Sequence, residues 1–171
     1  MEQEIINRVS NSGLLSLDLE ELYPSGERLV YDLKQNLFME LILKEKDFRE
    51  FLKGHDWSIY ENTHVAIICS ADAIVPTWAY MLLATYLEPY AKTIVFGDVE
   101  QLETKIYSQI FDSLDWSPYQ NARVVVKGCS KTQIPTAVYV ELSTRLKPIV
   151  KSLMFGEPCS TVPLYKAKAN V

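Results

Sequence analysis

Histidine is the scarcest chemistry-bearing residue: the chain has two, His55 and His64, and only three cysteines. With so few imidazoles, a histidine-assisted nucleophile has almost no partner to draw on. His64 opens an apolar run that ends just before Cys69, so in an extended strand the two lie roughly 16 Å apart. That distance excludes a Cys69–His64 pair, and the arginine standing where the repeat described below would put His64 predicts a solvated basic residue there. No Gly-x-Gly-x-x-Gly and no Walker-type loop is present, so a nucleotide fingerprint is absent. The longest apolar stretch, Ala73 to Leu87, is broken by Pro76, Thr77 and Thr85 and is too short to cross a bilayer. The opening Met1-Glu2-Gln3-Glu4 has neither a basic n-region nor an apolar core, so no secretory signal is expected. Net charge is −5 and the pI about 5.1, which argues against a non-specific nucleic-acid binder. These absences together predict a cytoplasmic protein of ordinary globular composition, with no membrane and no nucleic acid among its partners. Its thiols are expected to be reduced there, and an odd count leaves one unpaired in any case.

What the chain does have is an internal repeat. Asp56-Trp57-Ser58-Ile59-Tyr60-Glu61-Asn62 recurs as Asp115-Trp116-Ser117-Pro118-Tyr119-Gln120-Asn121. In the same register Pro76-Thr77 falls on Pro135-Thr136, Tyr80 on Tyr139, Leu83 on Leu142 and Phe96-Gly97 on Phe155-Gly156. The pattern predicts a tandem duplication, about residues 56–98 and 115–157. Each copy reads as a strand (64–68; 123–127), a Cys-Ser loop, a proline-bracketed helix (76–89; 135–148) and a second strand (93–96; 152–155). Residues 99–114, with Leu102, Ile106, Ile110 and Leu114 on one stripe, read as a connecting helix. The expected fold is α/β: one three-layer domain over residues 1–171, with a mainly parallel sheet and right-handed crossovers. Residues 1–55 form an α+β section with strands near 14–19 and 28–32 and a helix near 46–53. Residues 158–171 hold a last Cys-Ser box and a solvated tail carrying Lys166 and Lys168.

All three cysteines sit in similar boxes: Cys69-Ser70 before Val75-Pro76, Cys129-Ser130 before Ile134-Pro135, and Cys159-Ser160 before Val162-Pro163. Each follows the carboxyl end of an expected strand, the edge where open α/β sheets place ligands. Three thiolates there would form a metal site, either for zinc with an open position or for an iron–sulfur cluster. They would also suit persulfide transfer or disulfide exchange. Beside this stands the plain reading that free cysteines fill space in a core. Two boxes also lead into helix starts, where free amides and the helix dipole favour an anion. Ser70, Thr77, Ser130 and Thr136 would add hydroxyls to such an anion-binding site. Asp72, Asp98 and Glu157 are expected to be caps or solvated acids. Trp57, Tyr60, Trp116 and Tyr119 are expected to pack against the sheet.

Asp56-Trp57-Ser58, the run Cys69 to Leu83, and Gly156-Glu157-Pro158-Cys159-Ser160-Thr161-Val162-Pro163-Leu164-Tyr165 resemble the bacterial domain of unknown function numbered 2480, found mainly among Bacteroidetes. Val9-Ser10-Asn11-Ser12-Gly13 and Glu45-Lys46-Asp47-Phe48-Arg49 carry the likeness across nearly the whole chain. The resemblance implies no activity and supplies no catalytic residue. It does imply an association with the sulfur-mobilisation route of iron–sulfur cluster assembly, and so iron–sulfur assembly proteins as partners. Three functional classes stay open: an accessory factor using the three thiols, a small-anion enzyme or sensor, and a non-catalytic interaction scaffold.

Overall fold

A computed structural model describes residues 13–127, 132–157 and 160–168. Cys129, Ser130 and Cys159 lie outside the described residues. The strands are β1 (Leu14–Leu17), β2 (Arg28–Asp32), β3 (His64–Ile68), β4 (Thr93–Phe96), β5 (Arg123–Val126), β6 (Ser152–Glu157) and β7 (Ser160–Lys166). The helices are α1 (Glu45–Gly54), α2 (Thr77–Leu87), α3 (Val99–Ser113) and α4 (Thr136–Leu146). The class is α/β. The strands form two sheets, however, where the sequence pattern predicts one: β1-β5-β6-β7 and β2-β3-β4. The chain divides correspondingly into two compact units, residues 24–106 and residues 1–23 with 107–171.

In the unit of residues 24–106, β3 is the central strand, parallel to β2 on one side and β4 on the other. Its first four residues are buried, as its β-branched run requires. One sheet face carries Tyr31, Val65 and Ile67, which join Ala79, Leu83 and Leu87 of α2 and Phe48 and Leu52 of α1 in a single core. Pro76 is the N-cap of α2, one position earlier than its expected place inside the first turn, and its carbonyl accepts the Ala79 amide. His64 is buried, at 4 % exposed, and not solvated as expected. Its ring closes over Gly26, where a Cβ would stand 2.9 Å from the imidazole, and Nε2 lies 3.3 Å from the Ser25 carbonyl. Burial lowers its pKa, so the neutral ring is favoured.

In the other unit β5 is central, parallel to β1 and β6, and β7 pairs antiparallel with β6. Leu17, Val124, Val126 and Leu153 join Val138, Leu142 and Leu146 of α4 with Tyr107 and Phe111 of α3. The Tyr107 hydroxyl donates to the Leu19 carbonyl at 2.9 Å. The expected tail is thus largely a strand, because Ser160 to Lys166 pairs along β6. Glu157 belongs to β6 and caps no helix. Asp98 does cap one: it accepts from the Gln101 amide at 3.0 Å, and the Gln101 side chain accepts from the Asp98 amide at 2.7 Å.

Contacts made in one unit recur in the other at repeat-related residues. The Trp57 indole donates to the Leu52 carbonyl at 2.8 Å, and that of Trp116 to Phe111 at 3.0 Å. Asn62 and Asn121 both adopt left-handed backbone (φ 60° and 56°), which asparagine tolerates. Their amides donate to Tyr90 and Ile149 carbonyls at 3.0 and 2.8 Å. The helix expected merely to connect the copies therefore does more: in its unit, the Tyr107–Phe111 stretch of α3 has the role that α1 has in the other. Leu83 and Leu142 stand at the centre of these cores, fully or almost fully buried. Leu83→Ala and Leu142→Ala should each cost about 2–5 kcal/mol in guanidinium unfolding. A loss below about 1 kcal/mol at either would mean that its helix does not close the core as described.

Candidate functional site

The carboxyl ends of the parallel strands in the two sheets are the places this fold offers for chemistry. In the unit of residues 24–106, β2 ends at Asp32, and the loop after β3 brings Cys69 and Ser70 beside it. The Ser70 amide donates to Asp32 Oδ1 at 3.0 Å and the Ser70 hydroxyl donates to Oδ2. The Lys34 amide adds a third bond at 2.9 Å. Burial pushes the Asp32 carboxyl up, but the two Ser70 bonds and the Lys34 amide outweigh it and hold the pKa below its ordinary value. Tyr80 of α2 meets Phe96 edge-on, with centroids 5.0 Å apart. Its hydroxyl is held protonated above the usual range by burial, then by nearby Cys69 and Asp32.

The other unit repeats the plan with different chemistry. Asp18, one residue beyond β1, holds Lys127 Nζ at 2.9 Å and accepts the Glu20 amide at 2.9 Å. The Lys127 bond is the main reason that the Asp18 carboxyl lies below its usual pKa, and Asp18 in turn raises Lys127. Glu20 accepts the Thr132 amide at 2.7 Å. Tyr139 stands edge-on to Phe155 at 5.7 Å, and its pKa is raised by burial, then by Asp18 and Glu20.

The expected site residues distribute as follows. Cys69 is a free, half-buried thiol packed at the margin of its core, its sulfur 3.9 Å from the Ala71 carbonyl. Ser70 stands at the expected place, but its two donors are already taken by the Asp32 carboxylate. An internal anion occupies the position that the sequence suggested for an external one. Thr77 and Thr136 are exposed first residues of α2 and α4, one in each unit. The shared sheet edge that grouped the three cysteines does not hold for Cys69, which follows β3, whereas Cys129 and Cys159 follow β5 and β6 of the other sheet in chain order. Among the described residues no group of three or more His, Cys, Asp or Glu side chains could hold a metal ion. Asp72 is exposed and is not the cap of α2.

The repeat pattern does not point to Asp18 and Asp32. They end the outer strands of the two sheets, and their segments, Leu14-Leu15-Ser16-Leu17-Asp18 and Arg28-Leu29-Val30-Tyr31-Asp32, share only a leucine and the aspartate. The faint Leu-x-x-Asp match was the available signal.

This geometry defines an α/β protein built of two parallel-stranded units whose carboxyl edges each carry an aspartate and a helix-borne tyrosine. The chain belongs to the family described as Protein of unknown function (DUF2480), whose family model matches residues 3–167. No curated protein and no solved structure matches it. Among the described residues no helix is long and apolar enough to cross a membrane.

Asp18 and Asp32 are both held below 3.8 in the folded chain. They therefore give stability that is complete above the unfolded carboxylate range and is lost as pH falls through their folded values. Urea midpoints followed from about pH 6 to pH 2 should decline on the acid side. Asp32→Asn should cost about 1 kcal/mol at neutral pH and flatten that decline. An unchanged acid slope in the variant would show that Asp32 is not held by Ser70 and Lys34.

Proposed function

We propose that this protein is a non-catalytic, cytoplasmic interaction module, and that the hairpin of residues 38–42 is its recognition element. The observation that carries this reading is a cluster of exposed apolar side chains on a hydrogen-bonded turn. Phe38, Met39, Leu41 and Ile42 are 48 %, 74 %, 61 % and 61 % exposed. Such a contiguous patch is characteristic of an interaction site. The turn is tied by the Phe38 amide to the Ile42 carbonyl at 2.7 Å and by the Leu41 amide to the Phe38 carbonyl at 3.1 Å. Lys44 sits 3.3 Å from the Phe38 ring centre, and Lys34 pairs with Glu40 at 3.1 Å. Met39 and Glu40 both hold left-handed backbone (φ 54° and 59°). Neither is glycine, so each costs about 1–2 kcal/mol of strain. Strain held in an exposed apolar turn reduces the ordering that a partner must induce.

The carboxyl edges support the same reading from the other side. Asp32 is satisfied by Ser70, and Asp18 by Lys127, so the most polar groups there serve the fold. Recurring contacts at repeat-related residues support descent of both units from one duplicated ancestor. The extra chemistry would then lie in what the copies do not share, and the 38–42 hairpin belongs to one unit alone. Iron–sulfur assembly proteins are the first partners to test, and a three-cysteine thiolate centre is the competing basis for such an association.

Photo-crosslinking from position 41 in intact cells, with crosslinked proteins identified by mass spectrometry, tests the proposal. One reproducible partner is expected. Its purified form should bind Phe38→Ser/Leu41→Ser at least about 100-fold more weakly, with stability changed by less than about 0.5 kcal/mol. Met39→Gly should leave stability unchanged or raised by up to about 1 kcal/mol while weakening the complex. Triple Cys→Ser should bind as well as the parent. Partner binding that survives the hairpin changes but fails in the cysteine variant would overturn this reading and favour the thiolate centre.

A further inference from the structure

The sheet of the unit of residues 24–106 has β2 at one edge. The His64 amide donates to the Glu27 carbonyl at 2.8 Å, and Arg28 stands opposite His64 in parallel register. Along a strand, successive residues aim their backbone groups to opposite sides. Leu29 and Tyr31 therefore bond to β3, and the N–H and C=O of Val30 point away from the sheet. Among the described residues the Val30 backbone has no hydrogen-bond partner, since β2 pairs with β3 alone. The Val30 side chain is 47 % exposed. It borders an open groove of about 560 Å³, lined also by Asp32, Lys34, Gln35, Leu37 and Glu40.

An open edge of this kind is a template for pairing with another chain. β7, an edge of the other sheet, is guarded by Pro163, which has no amide hydrogen, and by Lys166. β2 carries neither proline nor lysine, and its five residues pair with β3 in unbroken register.

The strand is complementary to itself. Turned antiparallel about a two-fold axis through Val30, the segment Arg28-Leu29-Val30-Tyr31-Asp32 sets Arg28 against the partner's Asp32 and Leu29 against the partner's Tyr31. Outward-bonding residues then meet outward-bonding residues, and the two Val30 residues exchange both of their bonds. An axis through Arg28 or through Asp32, the other outward residues, would place like charges opposite one another, which destabilises a strand pair. Arg28 and Asp32 are already bonded within the chain, to Glu103 and to Ser70. Their contribution is a register without repulsion, not a new ion pair.

From this self-complementarity we infer that two copies of this chain associate through β2, edge to edge and antiparallel, with Val30 on the two-fold axis. The two sheets become one continuous sheet, and an isologous contact of this kind closes at two copies. The pairing does not rest on the reading of the 38–42 hairpin.

Sedimentation velocity of the full chain from about 1 to about 500 µM tests it, with a dimer Kd at or below about 100 µM expected. Val30→Pro removes the outward amide hydrogen and leaves the bonds to β3 in place. It should weaken the dimer at least about tenfold. Val30→Asp and Val30→Lys should each weaken it to a similar degree, because like charges then meet on the axis. An equimolar mixture of those two variants should recover a dimer holding one copy of each. Phe38→Ser/Leu41→Ser should dimerise as the parent does. Circular dichroism reports whether each variant is folded, and if Val30→Pro is not, the Asp and Lys variants decide alone. A parent that stays monomeric throughout would overturn the inference. A dimer indifferent to the Val30 changes would overturn it too, as would charged variants that do not recover on mixing. A dimer lost only in the hairpin variant would move the contact to the hairpin.

Discussion

A parallel strand buried along its length needs a hydrogen-bonding partner on each side and an apolar cover, and both units are arranged around one such strand. Val65, Ala66 and Ile67 of β3 and Val124, Val125 and Val126 of β5 are almost completely removed from water. Their backbone groups have no recourse to solvent, so an unpaired edge would leave costly orphan donors and acceptors. In each unit the proline-started helix returns the chain to form one partner, β4 or β6, by a parallel crossover. The other partner must come from elsewhere, and it comes from the amino-terminal segment: β2 for β3 and β1 for β5. Once those four pairings are made, the positions of Asp18, Asp32 and both helix-borne tyrosines follow.

This requirement explains what could and could not be read from the amino-acid order. The central and following strands and the proline-bracketed helices are legible because β-branched runs and proline brackets are strong local signals. Two sheets in place of one were not, since β1 reaches β5 across about a hundred residues and no local pattern records so distant a pairing. The burial of His64 was hidden for a related reason. Arg123 at the equivalent place suggested a solvated base, yet the environment of His64 is made by Gly26 and Ser25, which belong to the segment leading into β2. β7 was missed because Pro163 and the lysines near it argue against a strand, although edge strands tolerate both.

The candidate site shows the same division. Ser70 and Cys69 were found from their motif, and their place after a strand was correct. The fate of the Ser70 donors was not visible, because the acceptor lies at the end of β2, well separated in sequence. A carboxylate that receives an amide and a hydroxyl from one residue and a further amide from Lys34 is well satisfied. It has little left to offer a ligand, and the serine has little left to offer an anion. Tyr80 and Tyr139 belong to the same economy: each is held protonated next to acidic neighbours, and each places its ring against the phenylalanine that ends the inner strand pair. These edges stiffen the units.

Where the two units diverge is therefore more informative about function than where they agree. At equivalent rows one unit has Arg28, paired with Glu103, beside the buried His64, and the other has Arg123 beside Ser152. A buried Arg28–Glu103 pair costs desolvation on both partners and is retained only when well bonded, as Arg28 is by Glu103 and by the Pro24 and Gly26 carbonyls. The strained apolar hairpin is a second such departure, since one unit carries it and the other has no segment of matching sequence between its outer and central strands. Left-handed backbone at Met39 and Glu40 burdens the isolated chain, yet it persists on an open surface, where packing does not enforce it. That location separates the hairpin from the satisfied carboxyl edges and supports its reading as a surface that a partner completes.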